Sequence, residues 1–272
     1  MTEESFAIFT LLASLIAFEL EADDNRREQQ EALRLAEEEA TARERLLGVL
    51  GHDLRTPLTS IMLGAAAILQ DGDDSDTRNR TAVTIAGSAR RAGRMITDLL
   101  DFTRARLGGG IPVTPAATDL ALVCRKVVRE VAAAAAPRQI EVVAKGSFNG
   151  MWDADRAAQV VANLISNALQ YSPEDSSVIV TLAEREEGIE LSVCNRGEKI
   201  PAASVSALFS PFRRGLSAIG SSGNQEGLGL GLYIVEEIMR AHGGSVTVSS
   251  DDEQTCFTTF WPRGRSKPAP AR

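Results

Sequence analysis

The sequence predicts a multidomain chain, α and then α+β. An antiparallel helical hairpin completes a four-helix bundle by pairing with a second copy, and an α/β sandwich with helices on one face of a mixed sheet follows. Three observations predict it. Leu47, Leu50, Leu54, Leu58, Ile61 and Ala65 recur at helical spacing, as do Ile85, Ala89, Ala92, Ile96 and Leu99, with the polar run Asp71 to Asp76 between them. A hairpin of this kind has one broad apolar face and no second layer to bury it, so a homodimer is the simplest solution. After Gly108-Gly-Gly-Ile-Pro112 the pattern changes to short alternating strands interleaved with helices.

At 272 residues the chain has room for about two domains. Its 24% charged and 44% hydrophobic residues are an ordinary globular composition. The formal net charge of −8 gives no support to a nucleic-acid partner, for which a basic face is expected. Cys124, Cys194 and Cys256 lack metal-ligand spacing and cannot all pair, so a reducing, cytoplasmic setting is expected.

Residues 1–30 read as an N-terminal apolar and signalling helix. The run from Phe6 to Phe18 would reach roughly 20 Å, short of a hydrocarbon core of roughly 30 Å, and Glu3, Glu4, Glu19 and Glu21 bracket it. No transmembrane segment is expected, nor a signal peptide, because the start is acidic. From Asp23 to Arg45 strong helix formers dominate, with Leu33, Ala36, Ala40, Leu47, Leu50 and Leu54 at heptad-like spacing. This reads as a signalling helix that enters the hairpin; a solvated charged helix is the plainer alternative.

The hairpin is assigned residues 31–110. Its first helix runs to about Gln70, and on it His52 falls nearly opposite the apolar stripe, with Asp53, Thr56 and Thr59 on the polar side. A neutral imidazole beside a carboxylate is a candidate nucleophile, since an ordinary pKa of about 6.5 leaves most of it unprotonated at neutral pH. Taken alone, a surface histidine on an amphipathic helix is as good a reading.

A linker is expected over 111–118 and an α/β domain over 119–263. Asp119 is placed to cap a helix that ends before Pro137, Ile140 to Ala144 reads as a strand, and Asp153 to Gln170 as a helix. Val178, Val180 and Leu182, then Ile189, Leu191 and Val193, alternate around Glu186-Glu-Gly188 as a β-hairpin. Tyr233 to Ala241 is a helix closed by Gly243-Gly244, and Val246 to Ser249 with Cys256 to Trp261 completes the sheet. Residues 264–272 are Pro-rich and basic, with disorder expected.

Two features carry chemistry. Gln159, Asn163, Asn167 and Gln170 line one helix face with carboxamides, although asparagine is a poor residue for a helix interior. Such oxygens can serve a hard cation such as Mg²⁺ while nucleotide phosphates supply the charge; a hydrated polar face is the plainer reading. Further on, Gly227-Leu-Gly229-Leu-Gly231-Leu leads into a helix, where backbone N–H groups and the positive end of the helix suit phosphate. It is not the dinucleotide fingerprint, because a polar loop, Ser221 to Glu226, precedes it instead of a strand.

Together these segments carry a resemblance. His52-Asp53-x-x-Thr56-Pro57-Leu58 resembles the phosphoacceptor box of dimeric sensor histidine kinases of the HisKA type. Asn163-Leu-Ile-Ser-Asn167-Ala-Leu-Gln-Tyr171-Ser-Pro resembles the N box of the Bergerat (GHKL) ATP-binding fold, and Phe209-Ser-Pro-Phe212 its F box. Gly227 to Gly231 resembles its second glycine box, and Thr255-Cys-Phe257 its closing threonine segment. The boxes stand in family order over roughly Leu33 to Pro262. The run through Asp23 resembles the last helix of a GAF- or PHY-type sensor domain, which implies an upstream sensor domain or protein.

The resemblance implies that Asn167, helped by Asn163, holds Mg²⁺ and that Tyr171 packs near the adenine of ATP. Gly229 and Gly231 would lie under the phosphates, with Gly227, Leu228 and Leu230 in the same box. Gln170, Asn195, Gly197, Ile200 and Thr255 would complete the nucleotide site, and Arg213 and Arg214 would reach the phosphates from a lid spanning Ile200 to Gly227. The chain departs from the family's Asp-x-Gly-x-Gly in having Asn195-Arg-Gly197-Glu-Lys199 before Ile200. An asparagine oxygen can accept from the adenine amino group, but without charge assistance, which implies weaker binding. Lys199 brings a cation near the pocket, and Gln170 stands where lysine is common. Boxes of this asparagine type are similar to those of bacteriophytochrome-like kinases.

The implied function is phosphorylation of His52 from Mg-ATP, with Asp53 as general base. The phosphoryl group then passes to an aspartate on the receiver domain of a separate response regulator, and Thr56 orients a water when that partner is dephosphorylated. The alternative is a non-catalytic dimeric nucleotide-binding scaffold or phosphatase-only partner. A GHKL ATPase of the chaperone or topoisomerase kind would leave the His52 helix pair unexplained. His242 reads as structural, a residue at a helix C-terminus.

Overall fold

The computed structural model describes residues 34, 51, 53–69, 75–134, 138–212 and 228–263. The readings for residues 1–30, for the signalling helix apart from Arg34, and for residues 264–272 lie outside the described residues. The chain divides into two units, Met1–His52 and Asp53–Arg272, and the structural description that follows concerns the second.

Helix α1 covers residues 53–69 and helix α2 Ser75–Arg106. They approach at Gly64, where an added Cβ would lie 2.7 Å from Cγ1 of Ile85. Asp53 and Pro57 stand on the same helical row as Gly64, at i and i+4 against i+11, and both are buried. Asp53 was expected on the polar side with Thr56. Asp53 is only 8% exposed, which corrects that: the row that α1 turns toward α2 begins one residue before the Leu54–Leu58 row. Thr56 and Thr59 are exposed, as expected. Leu58, Met62, Leu63 and Leu69 of α1 and Val83, Ile96 and Leu100 of α2 remain exposed, so the hairpin leaves apolar surface uncovered within one chain.

The α+β part contains strands β1 (Ala116–Asp119), β2 (Ile140–Ala144), β3 (Asn149–Trp152), β4 (Val178–Arg185), β5 (Gly188–Asn195), β6 (Ser245–Ser250) and β7 (Thr255–Pro262). Its helices are α3 (Leu120–Ala134), α4 (Ala154–Gln170), the short α5 (Ala202–Val205) and α6 (Gly231–Ala241). The five-stranded sheet runs β2-β4-β5-β7-β6, with β2 parallel to β4 and the other neighbours antiparallel. The expected β4–β5 hairpin forms around Glu186-Glu187. β1 pairs with β3 in a separate antiparallel ribbon, so residues 116–118 leave the expected linker and join the sandwich. Neither strand showed a period of 2 long enough to read: each has four residues.

One face of the sheet is apolar and covered. Ile189, Leu191 and Val193 of β5 and Phe257 and Trp261 of β7 are buried against Val160, Val161, Leu164 and Ile165 of α4 and Ile234, Val235 and Ile238 of α6. The alternate residues, among them Ser192, Cys194, Cys256 and Thr258, stand on the opposite, partly exposed face. There Cys194 and Cys256, opposite each other on β5 and β7, form a disulfide, while Cys124 stays a buried thiol. Burial in α3 pushes the Cys124 thiol up to about 12. Among the described residues, no helix is long and apolar enough to cross a membrane.

Candidate functional site

α4 starts where a side chain supplies what the first turn lacks. Asp153 caps it, Oδ1 accepting from the N–H groups of Asp155 and Arg156, both at 3.1 Å, while Oδ2 accepts from Thr114 N–H at 2.8 Å. Burial works against the charge, but these three donors hold the Asp153 carboxyl below the usual range. The N–H of Asp153 donates in turn to Nε2 of His242 at 3.1 Å, and Nδ1 of His242 lies 2.9 Å from the Ile238 carbonyl. Both ring nitrogens are occupied and the ring packs on Trp261, so His242 is a strut between α4 and α6.

With its apolar face on the sheet, α4 turns its carboxamides outward over a cleft. Asn163 donates from Nδ2 to the Gly231 carbonyl at 3.2 Å, tying α4 to the glycine segment. Asn167 is half-buried, and its carboxamide makes no hydrogen bond among the described residues. Gln159 keeps its place on the row but bonds across to α2: Nε2 donates to Asp101 Oδ2 at 3.0 Å, beside the Arg156 Nη1–Asp101 contact of 2.6 Å. Burial pushes the neighbouring Asp98 carboxyl up to about 6, with Gln159 pulling it down and Asp101 adding to the rise. An aromatic group joins the same helix to the site, since Phe102 meets Phe212 at 4.9 Å and Tyr233 at 5.6 Å between ring centroids.

Opposite α4, the end of β5 carries Asn195, whose Nδ2 donates to the Arg196 carbonyl at 2.9 Å and so reserves Oδ1 as acceptor. At Gly197 an added Cβ would come within 2.4 Å of the Tyr171 carbonyl oxygen, so only glycine allows this loop to close on the end of α4. Ile200 N–H donates to Ser250 Oγ at 2.9 Å, and Ser250 Oγ lies 2.7 Å from Oγ1 of Thr255. Lys199 turns to the β6–β7 turn, with Nζ 3.1 Å from Asp252.

The glycine segment forms the third wall. Gly229 takes a left-handed φ of 66°, and its carbonyl accepts from Phe212 N–H at 3.0 Å. The side chains of Leu228 and Leu230 are buried and anchor the loop. Among the described residues no side chain caps α6, so its first N–H groups keep their capacity for an anion.

One cavity is lined by Asn163, Asn167, Gln170, Tyr171, Asn195, Gly197, Ile200, Leu228, Gly229, Leu230, Gly231 and Thr255, every expected nucleotide-site residue that is described. Arg213, Arg214 and Gly227 lie outside the described residues, as does His52. The cavity also takes in Arg90, Arg91 and Arg94 of α2, which the sequence pattern did not single out. Nothing on a solvated helix marks an arginine as facing another domain. Such a cleft, with amide and hydroxyl acceptors at one end and backbone N–H donors at the other, suits a polar aromatic base joined to phosphates.

Comparison with known proteins agrees with this geometry. Residues 42–108 match the His Kinase A (phospho-acceptor) domain, and residues 152–265 match the histidine kinase-, DNA gyrase B- and HSP90-like ATPases. A bacteriophytochrome of Pseudomonas aeruginosa is 37% identical over 81% of this chain and 30% of its own length. The sensor protein VanSC of Enterococcus gallinarum is 30% identical over 97% of this chain and 73% of its own. The histidine kinase ThkA, solved in complex with the response regulator protein TrrA, shares the fold with a TM-score of 0.53 at 21% identity, over 79% of this chain and 60% of that one.

Proposed function

The chain belongs to the sensor histidine kinases, and from that premise we propose that it phosphorylates His52 from Mg-ATP and passes the phosphoryl group to an aspartate on the receiver domain of a separate response regulator. One observation carries the reading: Asn163, Asn167, Asn195, Gly197, Gly229 and Gly231 converge on one cleft of a chain whose phosphoacceptor-domain match contains His52.

The residues present fit Mg-ATP. The carboxamide oxygens of Asn167 and Asn163 are neutral donors of the hard type that Mg²⁺ takes, and the ion would supply neutralisation of phosphate charge. Asn195 Oδ1 and Thr255 would receive the adenine, Tyr171 and Ile200 would flank it, and the N–H groups from Gly229 into α6 would hold phosphates. Arg213 and Arg214 are proposed as further phosphate contacts. At His52 one ring nitrogen attacks the γ-phosphorus, so that an N–P bond forms as the P–O bond to departing ADP breaks. Asp53, the next residue, takes the proton from the other ring nitrogen. Thr56, exposed one turn on, would orient water when the partner is dephosphorylated.

The exposed apolar residues of α1 and α2 support a homodimer closed through a four-helix bundle. The similarity to a bacteriophytochrome and to a sensor protein supports an upstream sensor domain or protein, and the ThkA complex supports a response-regulator partner. A cytoplasmic location goes with that partnership. The proposed domain limits remain 31–110 for the phosphotransfer hairpin and 119–263 for the ATP-binding domain, the latter extended by β1.

Incubation with γ-labelled ATP and Mg²⁺ tests the reading. Acid-labile, base-stable label on the protein, transferable to a receiver domain, is expected. Steady phosphate release without label would replace it with a simple ATPase, and nucleotide binding with neither would leave a scaffold.

A further inference from the structure

We infer that Cys194 and Cys256 form a reversible thiol–disulfide modification site whose state sets nucleotide affinity, an inference that rests on the nucleotide reading of the cleft. The two residues are 62 positions apart in sequence and directly opposed on β5 and β7, with Cα atoms 4.1 Å apart, the narrow spacing of a non-hydrogen-bonded rung. They stand on the sheet face that the helices leave open, beside Ile179 of β4 and Ser249 of β6, both exposed. A small thiol or disulfide can reach them there.

What lies next to this rung gives it a consequence. The following rung, Asn195 with Thr255, is the last that joins β5 to β7, and it points to the other face, into the cleft. Both residues are 5% exposed, and Thr255 carries the chain of hydroxyls through Ser250 to the Ile200 N–H. Ladder ends open more readily than ladder centres. A covalent link one rung behind the adenine-side residues therefore keeps that end closed, and less ordering is left for the nucleotide to impose. The oxidised form binds more tightly and the dithiol form less.

The exchange balances with a small-molecule disulfide, such as oxidised glutathione, as oxidant. One cysteine thiolate attacks a sulfur of the oxidant, forming a mixed disulfide and releasing one small thiolate. The second cysteine thiolate attacks the protein sulfur of that intermediate, closing the Cys194–Cys256 bond and releasing the other. The two cysteine protons end on the two small thiols, and two electrons pass from the protein to the oxidant. A small dithiol reverses the sequence. In a reducing compartment a disulfide of this kind is a reporter of redox state and not a permanent staple.

The test is titration of the full chain with ATP and Mg²⁺ after equilibration with oxidised glutathione or with a dithiol, with the linked Cys194–Cys256 peptide followed by mass spectrometry. The oxidised protein is expected to bind roughly threefold to tenfold more tightly than the reduced one. Cys194→Ser/Cys256→Ser is expected to bind with the reduced affinity under both conditions, with Cys194→Ser alone as a second variant should the double one fold poorly. Equal affinity in both states, or no linked peptide in oxidised glutathione, would overturn the coupling. Absence of ATP binding in both states would overturn the nucleotide reading itself, and the coupling with it.

Discussion

Asn163 Nδ2 donates to the carbonyl oxygen of Gly231 at 3.2 Å, and this bond joins the carboxamide face of α4 to the glycine segment that opens α6. It spends the amide nitrogen on the protein, which leaves the oxygen for the ligand proposed above. Asn163→Ala removes both, and ATP affinity is expected to fall about tenfold or more, the cost of roughly one good hydrogen bond. Isothermal titration of the variant checks this. Unchanged affinity would show that the glycine segment needs no tie to α4.

Arg156 and Asp101 form a largely buried pair between α4 and α2, with side chains 16% and 2% exposed. Removing Arg156 strands the carboxylate, with Gln159 as its remaining side-chain donor among the described residues. Arg156→Ala is expected to lower unfolding stability by about 2–4 kcal/mol, while Arg156→Met/Asp101→Leu loses less than the single change. Urea denaturation of both variants measures the difference, and a single variant as stable as the parent would contradict the pairing.

His242 is held neutral. Its burial lowers the ring pKa below the ordinary value, with the Ile238 carbonyl and Asp153 opposing that and Arg156 adding to it. Because the unfolded chain takes up the proton first, this contribution is complete above about pH 6.5 and is lost as pH falls from there toward the lowered folded value. Between pH 7 and 5 the wild type is expected to lose stability relative to His242→Gln, as thermal melts of both across that range would show, and a difference between them that does not change with pH would contradict it.

Asp98 has the opposite sign. Its carboxyl is raised to about 6 by burial, against Gln159 and with Asp101, so the charged form is penalised above pH 6 and the penalty is relieved as pH falls toward the unfolded value near 4. Asp98→Asn is expected to stabilise by about 1–2 kcal/mol at pH 7.5 and by little at pH 4.5. Equal gains at both pH values would locate the effect elsewhere.

The elements that were legible in the sequence are those with long, regular patterns. The carboxamide row of α4 and the alternating β4–β5 hairpin could be read because period and residue type agree over two or more turns or pairs. Ser250 could not, although it links Ile200 to Thr255, because its importance comes from β6 lying beside β7 and not from its neighbours in sequence. The Cys194–Cys256 pair was hidden for the same reason: only the order β5-β7 brings residues so far apart together. Asp53 failed differently. Its helix was read correctly, but which of two adjacent rows turns inward is decided by the close approach at Gly64. Gln159 fits the carboxamide row by spacing, yet its partner is an aspartate on another helix.

The most direct measurement is the amount of acid-labile phosphate on the protein after incubation with γ-labelled ATP and Mg²⁺, compared among wild type, His52→Ala and Asn167→Ala. Label on the wild type that is lost in both variants is the predicted result, since His52 would accept the phosphoryl group and Asn167 would hold the metal beside it. Label that survives His52→Ala, or none on a wild type that binds ATP, would contradict the account.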